Sequence, residues 1–179
     1  MYSFRNDYSE GAHPKVLQAL ADTNLRQTVG YGMDPCCQAA ADTIRRLCAP
    51  PDAAVHFLVG GTQVNLVTID AFLQSYEAVV AAQTGHVSTH ETGAIEATGH
   101  KVCTVESPDG KLTPALVESV LAGHNGTEHM VLPRMVYISD TTEIGTVYTR
   151  AELAALRQCC DVHGLFLYLD GARLGSALT

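Results

Sequence analysis

The chain has 179 residues, of which 46% are hydrophobic and 17% charged, so it can bury a real core and is not disordered. Its formal net charge is −8 and its basic residues are scattered, which argues against nucleic-acid or anionic-membrane binding. No apolar run approaches the roughly 18 residues of a membrane span, and the N-terminus has no apolar signal-peptide core, so we expect a cytoplasmic protein.

The cysteine pattern matches neither a zinc site nor a disulfide framework. Two pairs are adjacent and no C-x-x-C occurs, so we expect free thiols in a reducing compartment and no resident metal. The cysteines are Cys36, Cys37, Cys48, Cys103, Cys159 and Cys160.

The first fifty residues predict two helices joined by a loop. The first covers residues 13–21, where Pro14 suits the first helical position. Residues 28–35 contain two glycines, an Asp and a Pro, which predicts a loop. An amphipathic pattern over residues 35–48 predicts the second helix.

From residue 55 onward, apolar strand candidates alternate with helical patterns. The strand candidates are 55–59, 78–82, 102–105, 135–139 and 165–169. The helix candidates are 62–75, 91–97, 114–121 and 150–163, and Ser88 and Glu91 have capping-box spacing before the second of these. This alternation predicts an α/β fold with a mostly parallel sheet flanked by helices.

Asp170 follows the last strand candidate, where ligands of open α/β sheets bind. A carboxylate at that place needs a cation or hydrogen-bonding partner, such as a metal, a protein Arg or a ligand's ring N–H. The alternative is that Asp170 caps the next turn and pairs with Arg173.

Gly60, Gly61 and Thr62 join the first strand candidate to a helix, which is an arrangement that binds anions through backbone N–H groups. The sequence matches neither the dinucleotide fingerprint nor the P-loop, so a small phosphate group is favoured. The alternative is an ordinary glycine turn with Thr62 as the helix N-cap.

His86 and His90 lie four residues apart beside Glu91, a spacing that could hold a metal on a helix. Because His86 precedes the proposed cap at Ser88, the two rings need not share a face, and metal binding is disfavoured. A His at this edge could instead lie on an aromatic ligand or move protons. His129 precedes a strand, where a lone His is usually structural.

Together these stretches resemble the threonine aldolases, in the β-eliminating lyase group of pyridoxal-phosphate (PLP) enzymes with the aspartate-aminotransferase fold. The order and spacing of five motifs carry the resemblance, which covers essentially the whole chain. They are FRND (4–7), TVGYGMDP (28–35), GGTQVNL (60–66), HVSTHETGAIE (86–96) and LDGARL (169–174).

The resemblance implies roles for individual residues. Asp170 would pair with the pyridine nitrogen, and His86 would stack on the pyridine ring and serve as a base. His129 would be a second active-site His. The implied cofactor-binding residues are Gly60, Gly61, Thr62, His86, Asp170 and Arg173. The implied substrate-binding residues are Asn6, Tyr31 and Arg173.

The implied reaction is retro-aldol cleavage of L-threonine or L-allo-threonine to glycine and acetaldehyde. PLP would accept the electrons of the breaking Cα–Cβ bond, because Asp170 keeps its ring nitrogen protonated. The family's Schiff-base lysine follows the Asp/Arg segment by some tens of residues. This chain has only Lys15, Lys101 and Lys111, so we expect this portion alone to be inactive.

The family pattern implies an N-terminal segment and helix over residues 1–35 and part of a PLP-binding large domain over 36–179, incomplete at its C-terminus and without the small domain. The implied partners are a small amino-acid substrate and further copies of the chain, as a homodimer or homotetramer, because Tyr31 would reach a neighbouring subunit's site.

Two other functions stay open from the sequence. One is a related PLP lyase, acting by β-elimination or on other β-hydroxy-α-amino acids. The other is a non-catalytic phosphate-binding or assembly module, which the missing lysine favours.

Overall fold

A computed structural model describes residue 3 and residues 5–48, 50–124 and 126–179. Phe4 of the first motif lies outside the described residues. The chain forms two compact units, Met1–Phe57 and Leu58–Thr179. The helices are α1 Pro14–Thr23, α2 Pro35–Cys48, α3 Gly61–Phe72, α4 His86–Thr89, α5 Ala94–Ala97, α6 Pro114–Ala122, α7 Arg150–His163 and α8 Leu174–Ala177. The strands are β1 Glu77–Ala82, β2 Lys101–Val105, β3 Leu132–Ser139 and β4 Phe166–Asp170.

The first unit contains α1 and α2, as the sequence predicts. His13 caps α1 by accepting a hydrogen bond from the N–H of Lys15. Asp34 begins α2, because its carboxylate accepts from the N–H groups of Cys36 (2.9 Å) and Cys37 (3.0 Å). Those two hydrogen bonds satisfy donors that have no partner inside the helix. The Cys37 side chain, followed by these N–H groups, lowers the pKa of Asp34.

The second unit is built on a parallel four-stranded sheet in the order β2-β1-β3-β4. All six residues of β1 are buried, which is expected for a central strand covered on both faces. Alternate residues serve the two faces: Val80 and Val136 pack with α6 and α7, whereas Val79 and Tyr137 pack with α3 and α5. The predicted α/β class with a mostly parallel sheet is confirmed.

The prediction of a strand over residues 55–59 is wrong. Phe57, Leu58 and Val59 are exposed, and the N–H of Val59 donates to the side chain of Gln63 (2.9 Å) rather than to a strand. A strand exists only through its neighbour, and an apolar run of five residues does not specify one.

The prediction of one helix over residues 91–97, capped by Ser88, is also wrong. Two single-turn helices, α4 and α5, replace it, and Gly93 precedes the second with φ at 72°. The Ser88 hydroxyl donates to the carbonyl of Ala82 (3.2 Å), and Glu91 turns toward other partners described below.

All six cysteines are free thiols, as predicted. In the part of the chain that the structure describes, no helix has both the length and the apolar character that crossing a membrane requires.

Candidate active site

The carboxyl ends of β3 and β4 place Asp170 at one edge of the sheet. Asp170 is the last residue of β4 and pairs with Ser139, the last residue of β3. The N–H of Asp140 donates to the Asp170 carbonyl at 3.0 Å, which extends the pairing by one residue. These backbone hydrogen bonds therefore hold the main chain at Asp170 in place.

Three hydrogen bonds orient the Asp170 carboxyl group. Its Oδ2 accepts from the Tyr137 hydroxyl (2.7 Å) and from Nδ2 of Asn65 (3.1 Å). Its Oδ1 accepts from the N–H of Ala172 at 3.0 Å. The alternative of a turn cap is thus also realised, but the cap uses one oxygen and leaves the other for side-chain donors.

Asn65 connects Asp170 to the His-bearing segment. It lies in α3 and is 2% exposed. Its Oδ1 accepts from the Tyr168 hydroxyl (2.6 Å), so its Nδ2 faces both Asp170 and Glu91, at 2.5 Å from Glu91 Oε1. Because a phenol hydroxyl needs an acceptor and a carboxylate a donor, this network fixes the orientation of the amide.

The two tyrosines are held as hydrogen-bond donors. Burial raises the pKa of Tyr137 well above its usual range, and the nearby charge of Asp170 raises it further. Burial, followed by the charge of Asp170, raises the pKa of Tyr168 to about 12. Both groups therefore keep their protons at physiological pH.

His86 is bound to the same network through Glu91. Its Nδ1 lies 2.7 Å from Glu91 Oε1, and the Glu91 side chain is 1% exposed against 37% for His86. The backbone N–H of His86 donates to Glu143 (2.9 Å), which also lies 2.6 Å from the Ser139 hydroxyl. The imidazole is thus anchored on its Nδ1 side while its outer part reaches solvent.

The two carboxylate oxygens of Glu91 differ in their hydrogen bonding. Its Oε2 is buried and, among the described residues, has no hydrogen-bond partner, whereas Oε1 has two. The rings of His86 and His90 stack with their centroids 5.6 Å apart, so the two side chains lie on the same face. Glu91 forms its hydrogen bond with His86.

Gly60, Gly61 and Thr62 lie at the start of α3. The helix begins at Gly61 with Gly60 as its N-cap, so the alternative in which Thr62 is the N-cap is wrong. Four residues separate Gly61 from Asn65, a rise of about 6 Å along the axis. The helix start, Asn65 and Asp170 therefore lie at the same edge of the sheet.

Other predicted residues lie elsewhere. His129 precedes β3, at the amino edge, so the eight residues of β3, roughly 26 Å of strand, separate it from the edge that carries Asp170. Within one copy of the chain, the structure does not bring His129 to the site. Arg173 is exposed and precedes α8, three residues beyond Asp170.

Asn6 and Tyr31 belong to the first unit. Asn6 Oδ1 accepts from the N–H of Tyr8 (3.2 Å) and from the Ser9 hydroxyl (2.6 Å), which makes a local turn. Tyr31 is fully exposed and has φ at 63°, an unusual conformation for a residue other than glycine. Their roles stay predictions.

Sequence reasoning missed Asn65, Tyr137 and Glu143, and it noted Glu91 only as a capping-box partner of Ser88 and as an acid beside the two histidines. Asn65 carries one available signal, since it lies four residues after Gly61 and hence one helical turn away. Tyr137 counted as a core residue of a strand, and its hydroxyl gave no separate signal.

Comparisons with known proteins bear on this arrangement. The sequence profile of the β-eliminating lyase family matches residues 4–179. The chain belongs to the β-eliminating lyase family. It is 37% identical, over 97% of its length and half of the other protein, to a low specificity L-threonine aldolase of Pseudomonas sp. (strain NCIMB 10558).

Solved structures agree with this membership. The threonine aldolase of Leishmania major has 57% sequence identity and a TM-score of 0.96, covering 99% of this chain and 52% of that protein. The aspartate aminotransferase of Rhizobium meliloti, at 16% identity and a TM-score of 0.66 over 90% of this chain and 41% of that one, shares the fold alone. The chain thus spans about half the length of the relatives it matches.

Proposed function

We propose that this chain is the cofactor-binding portion of a PLP-dependent threonine aldolase that cleaves L-threonine or L-allo-threonine to glycine and acetaldehyde. The observation that carries the proposal is the hydrogen-bonded chain from His86 through Glu91 and Asn65 to Asp170. It links a candidate base to a candidate partner of the ring nitrogen, beside a helix start suited to phosphate.

The glycines at the start of α3 fit a phosphate group. Gly60 is extended at φ −167° and Gly61 is helical, so neither needs a glycine for its backbone conformation. Within the second unit as described, a Cβ at either position meets nothing within 4 Å. Packing within this unit therefore does not require these glycines, whereas a ligand in close contact with the backbone does.

Asp170 fits the ring nitrogen of PLP. When bound, PLP supplies an electron sink for the breaking of the substrate's Cα–Cβ bond. The Asp170 carboxylate would be the charged hydrogen-bond partner of the ring nitrogen, and Tyr137 and Asn65 fix its orientation. Two polar side chains on separate elements give this orientation, so Asp170 does not have to reorganise when it binds.

His86 is the proposed base for the substrate's β-hydroxyl. With Nδ1 donating to the Glu91 carboxylate, its Nε2 is the atom that accepts a proton. Glu91 then stabilises the imidazolium that forms, in the way a buried carboxylate supports a catalytic His. A positioned base of this kind typically contributes about 10²–10⁴-fold in rate.

Substrate binding and assembly extend the proposal. Arg173 follows Asp170 on the same edge and would bind the substrate carboxylate, and Asn6 is a second proposed substrate-binding residue. Tyr31, fully exposed and in a left-handed conformation, would contact a neighbouring subunit of a cytoplasmic homodimer or homotetramer.

The test uses the protein encoded by the complete reading frame. PLP should produce a visible absorption band that borohydride removes, and L-threonine should release glycine and acetaldehyde. Asp170→Asn should weaken the band and abolish turnover while the protein stays folded. Gly61→Ala should slightly raise stability, because Ala favours a helix, yet weaken PLP binding. Failure to develop a band in the unaltered protein would refute the proposal.

A second candidate function is β-elimination, which the description of the matching family, β-eliminating lyase, supports. Product analysis separates it from threonine cleavage. Release of pyruvate and ammonia from serine, without glycine from threonine, would identify a β-eliminating lyase. PLP binding without any turnover would instead indicate a phosphate-binding module.

A further inference from the structure

Helices α6 and α7 bring three metal-ligating side chains together at the sheet's amino edge. Cys159 and His163 lie four residues apart on α7, hence on one face of it, and Glu118 approaches from α6. One ligand atom from each lies within 4.8 Å of the other two. His163 Nε2 lies 3.6 Å from Glu118 Oε1.

We propose that Glu118, Cys159 and His163 bind a divalent transition-metal ion of the zinc type. A thiolate, an imidazole and a carboxylate are the groups that ligate zinc, with bonds of about 2.0–2.3 Å. Tetrahedral ligands at those lengths are roughly 3.3–3.8 Å apart, so small rotamer changes bring the three atoms to bonding distance. Water completes the coordination.

The surrounding space suits an ion with a bound water. A hollow of about 260 Å³ is lined by all three side chains and by Pro114, Ala155, Gln158 and Val162. The ligands differ in exposure, since Cys159 is buried whereas the side chains of Glu118 and His163 are 57% and 36% exposed. An ion can therefore enter from solvent and contact a thiol that is already in place.

The two adjacent cysteines, Cys159 and Cys160, differ in what they contact. Cys160 is fully buried and packs in the core with Leu156 and Ile138, so it faces the sheet. Cys159 faces α6 and lines the hollow. His163 ends α7, where the carbonyl ends of the helix dipole also favour a cation.

The site is separate from the proposed active site. His163 precedes β4, whereas Asp170 ends that strand, so about 16 Å of strand lies between the two edges. The ion would join α6 to α7 and stabilise the helical layer, with no part in threonine cleavage. The inference therefore does not depend on the proposed function.

Cobalt titration of the complete protein, made without a histidine tag, tests the proposal. One equivalent of Co²⁺ should give a near-ultraviolet thiolate-to-cobalt band, and Zn²⁺ should displace it and raise Tm. Cys159→Ser should abolish the band. Glu118→Gln and His163→Gln change exposed groups, so both should fold and bind Co²⁺ at least tenfold more weakly.

Matched controls exclude other thiols. The double variant Cys36→Ser/Cys37→Ser removes another adjacent pair of thiols, which is more accessible. Cys48→Ser removes an exposed thiol at the other end of α2. Both proteins should keep the band. A band that survives Cys159→Ser, or disappears in the Cys36/Cys37 double variant, overturns the proposal. Absence of Co²⁺ binding to the unaltered protein, or unchanged affinity in both Glu118→Gln and His163→Gln, also overturns it.

Discussion

Glu91→Gln tests the proposed pairing of His86 with a carboxylate. The substitution keeps the shape and an oxygen that can accept from His86, but it removes the charge. Glu91 Oε1 lies 2.7 Å from Nδ1 of His86 and 2.5 Å from Nδ2 of Asn65, so both contacts persist with a neutral partner. The change therefore removes the charge while keeping both contacts of Oε1, and it places an amide NH2 at the buried position of Oε2.

The expected loss follows from the hydrogen bond to a charged group. Such a bond contributes about 1.5–3 kcal/mol, against about 0.5–1.5 kcal/mol for the neutral hydrogen bond that Gln retains. The difference of roughly 1–1.5 kcal/mol corresponds to a fall in kcat for threonine cleavage of about 5- to 13-fold. KM should change little, because the charge of Glu91 is needed when the imidazolium forms and not when substrate binds. The kcat of His86→Ala should fall further, by about 10²–10⁴-fold.

The assay is steady-state release of acetaldehyde by the complete PLP-loaded protein, with the visible band monitoring cofactor occupancy. Asp70→Asn is the matched control, since Asp70 lies 3.5 Å from Nε2 of His100 in another His–carboxylate pair. It should leave kcat unchanged. If Glu91→Gln keeps full kcat while His86→Ala is inactive, the proposed role of Glu91 is wrong. If Glu91→Gln loses the cofactor band, Glu91 is structural rather than a partner of the base.

Three further predictions concern cofactor binding and stability. Tyr137→Phe removes one donor to Asp170 and should weaken PLP about fivefold, from roughly 1 kcal/mol for a hydrogen bond, as measured by titration of the visible band; unchanged affinity would contradict this role. Leu156→Ala should destabilise the protein by about 2–5 kcal/mol in urea unfolding, because Leu156 is fully buried, whereas Leu25→Ala, at a residue 92% exposed, should cost almost nothing; equal costs would contradict the packing. The hydrogen bond from Lys111 and those from Thr149 lower the pKa of Glu152 to about 2, so its stabilising contribution is present above pH 4.5 and is lost as the pH falls toward 2. The Tm difference between the unaltered protein and Glu152→Gln should therefore shrink over that interval, and a constant difference would contradict it.

Local signals in the sequence were sufficient for several elements. The helix over residues 150–163 was predicted with the bounds that the structure shows, because both of its ends are fixed nearby. Thr149 and Glu152 form a capping box at its start, and Gly164 ends it with φ at 65°. The end of the last strand was also predictable to within one residue, since the apolar run stops at a charged residue.

Elements that depend on distant partners were predicted less well. Residues 55–59 have the composition of a buried strand but no strand beside them among the described residues. Ser88 and Glu91 have the spacing of a capping box, yet Glu91 binds Asn65, a residue 26 positions earlier, and His86. His129 precedes β3 and so lies at the amino edge within one copy of the chain, whereas the family resemblance implied a role in the active site.

The sequence by itself determined the α/β class, the family and the strand end that carries Asp170. These features follow from periodicity, from strand ends and from motif order, all of which are local along the chain. Only the tertiary structure decided how Asp170 is held. Asn65 lies 105 residues and Tyr137 33 residues away from it, and a hydrogen bond across such a distance forms only after the sheet and α3 have packed together.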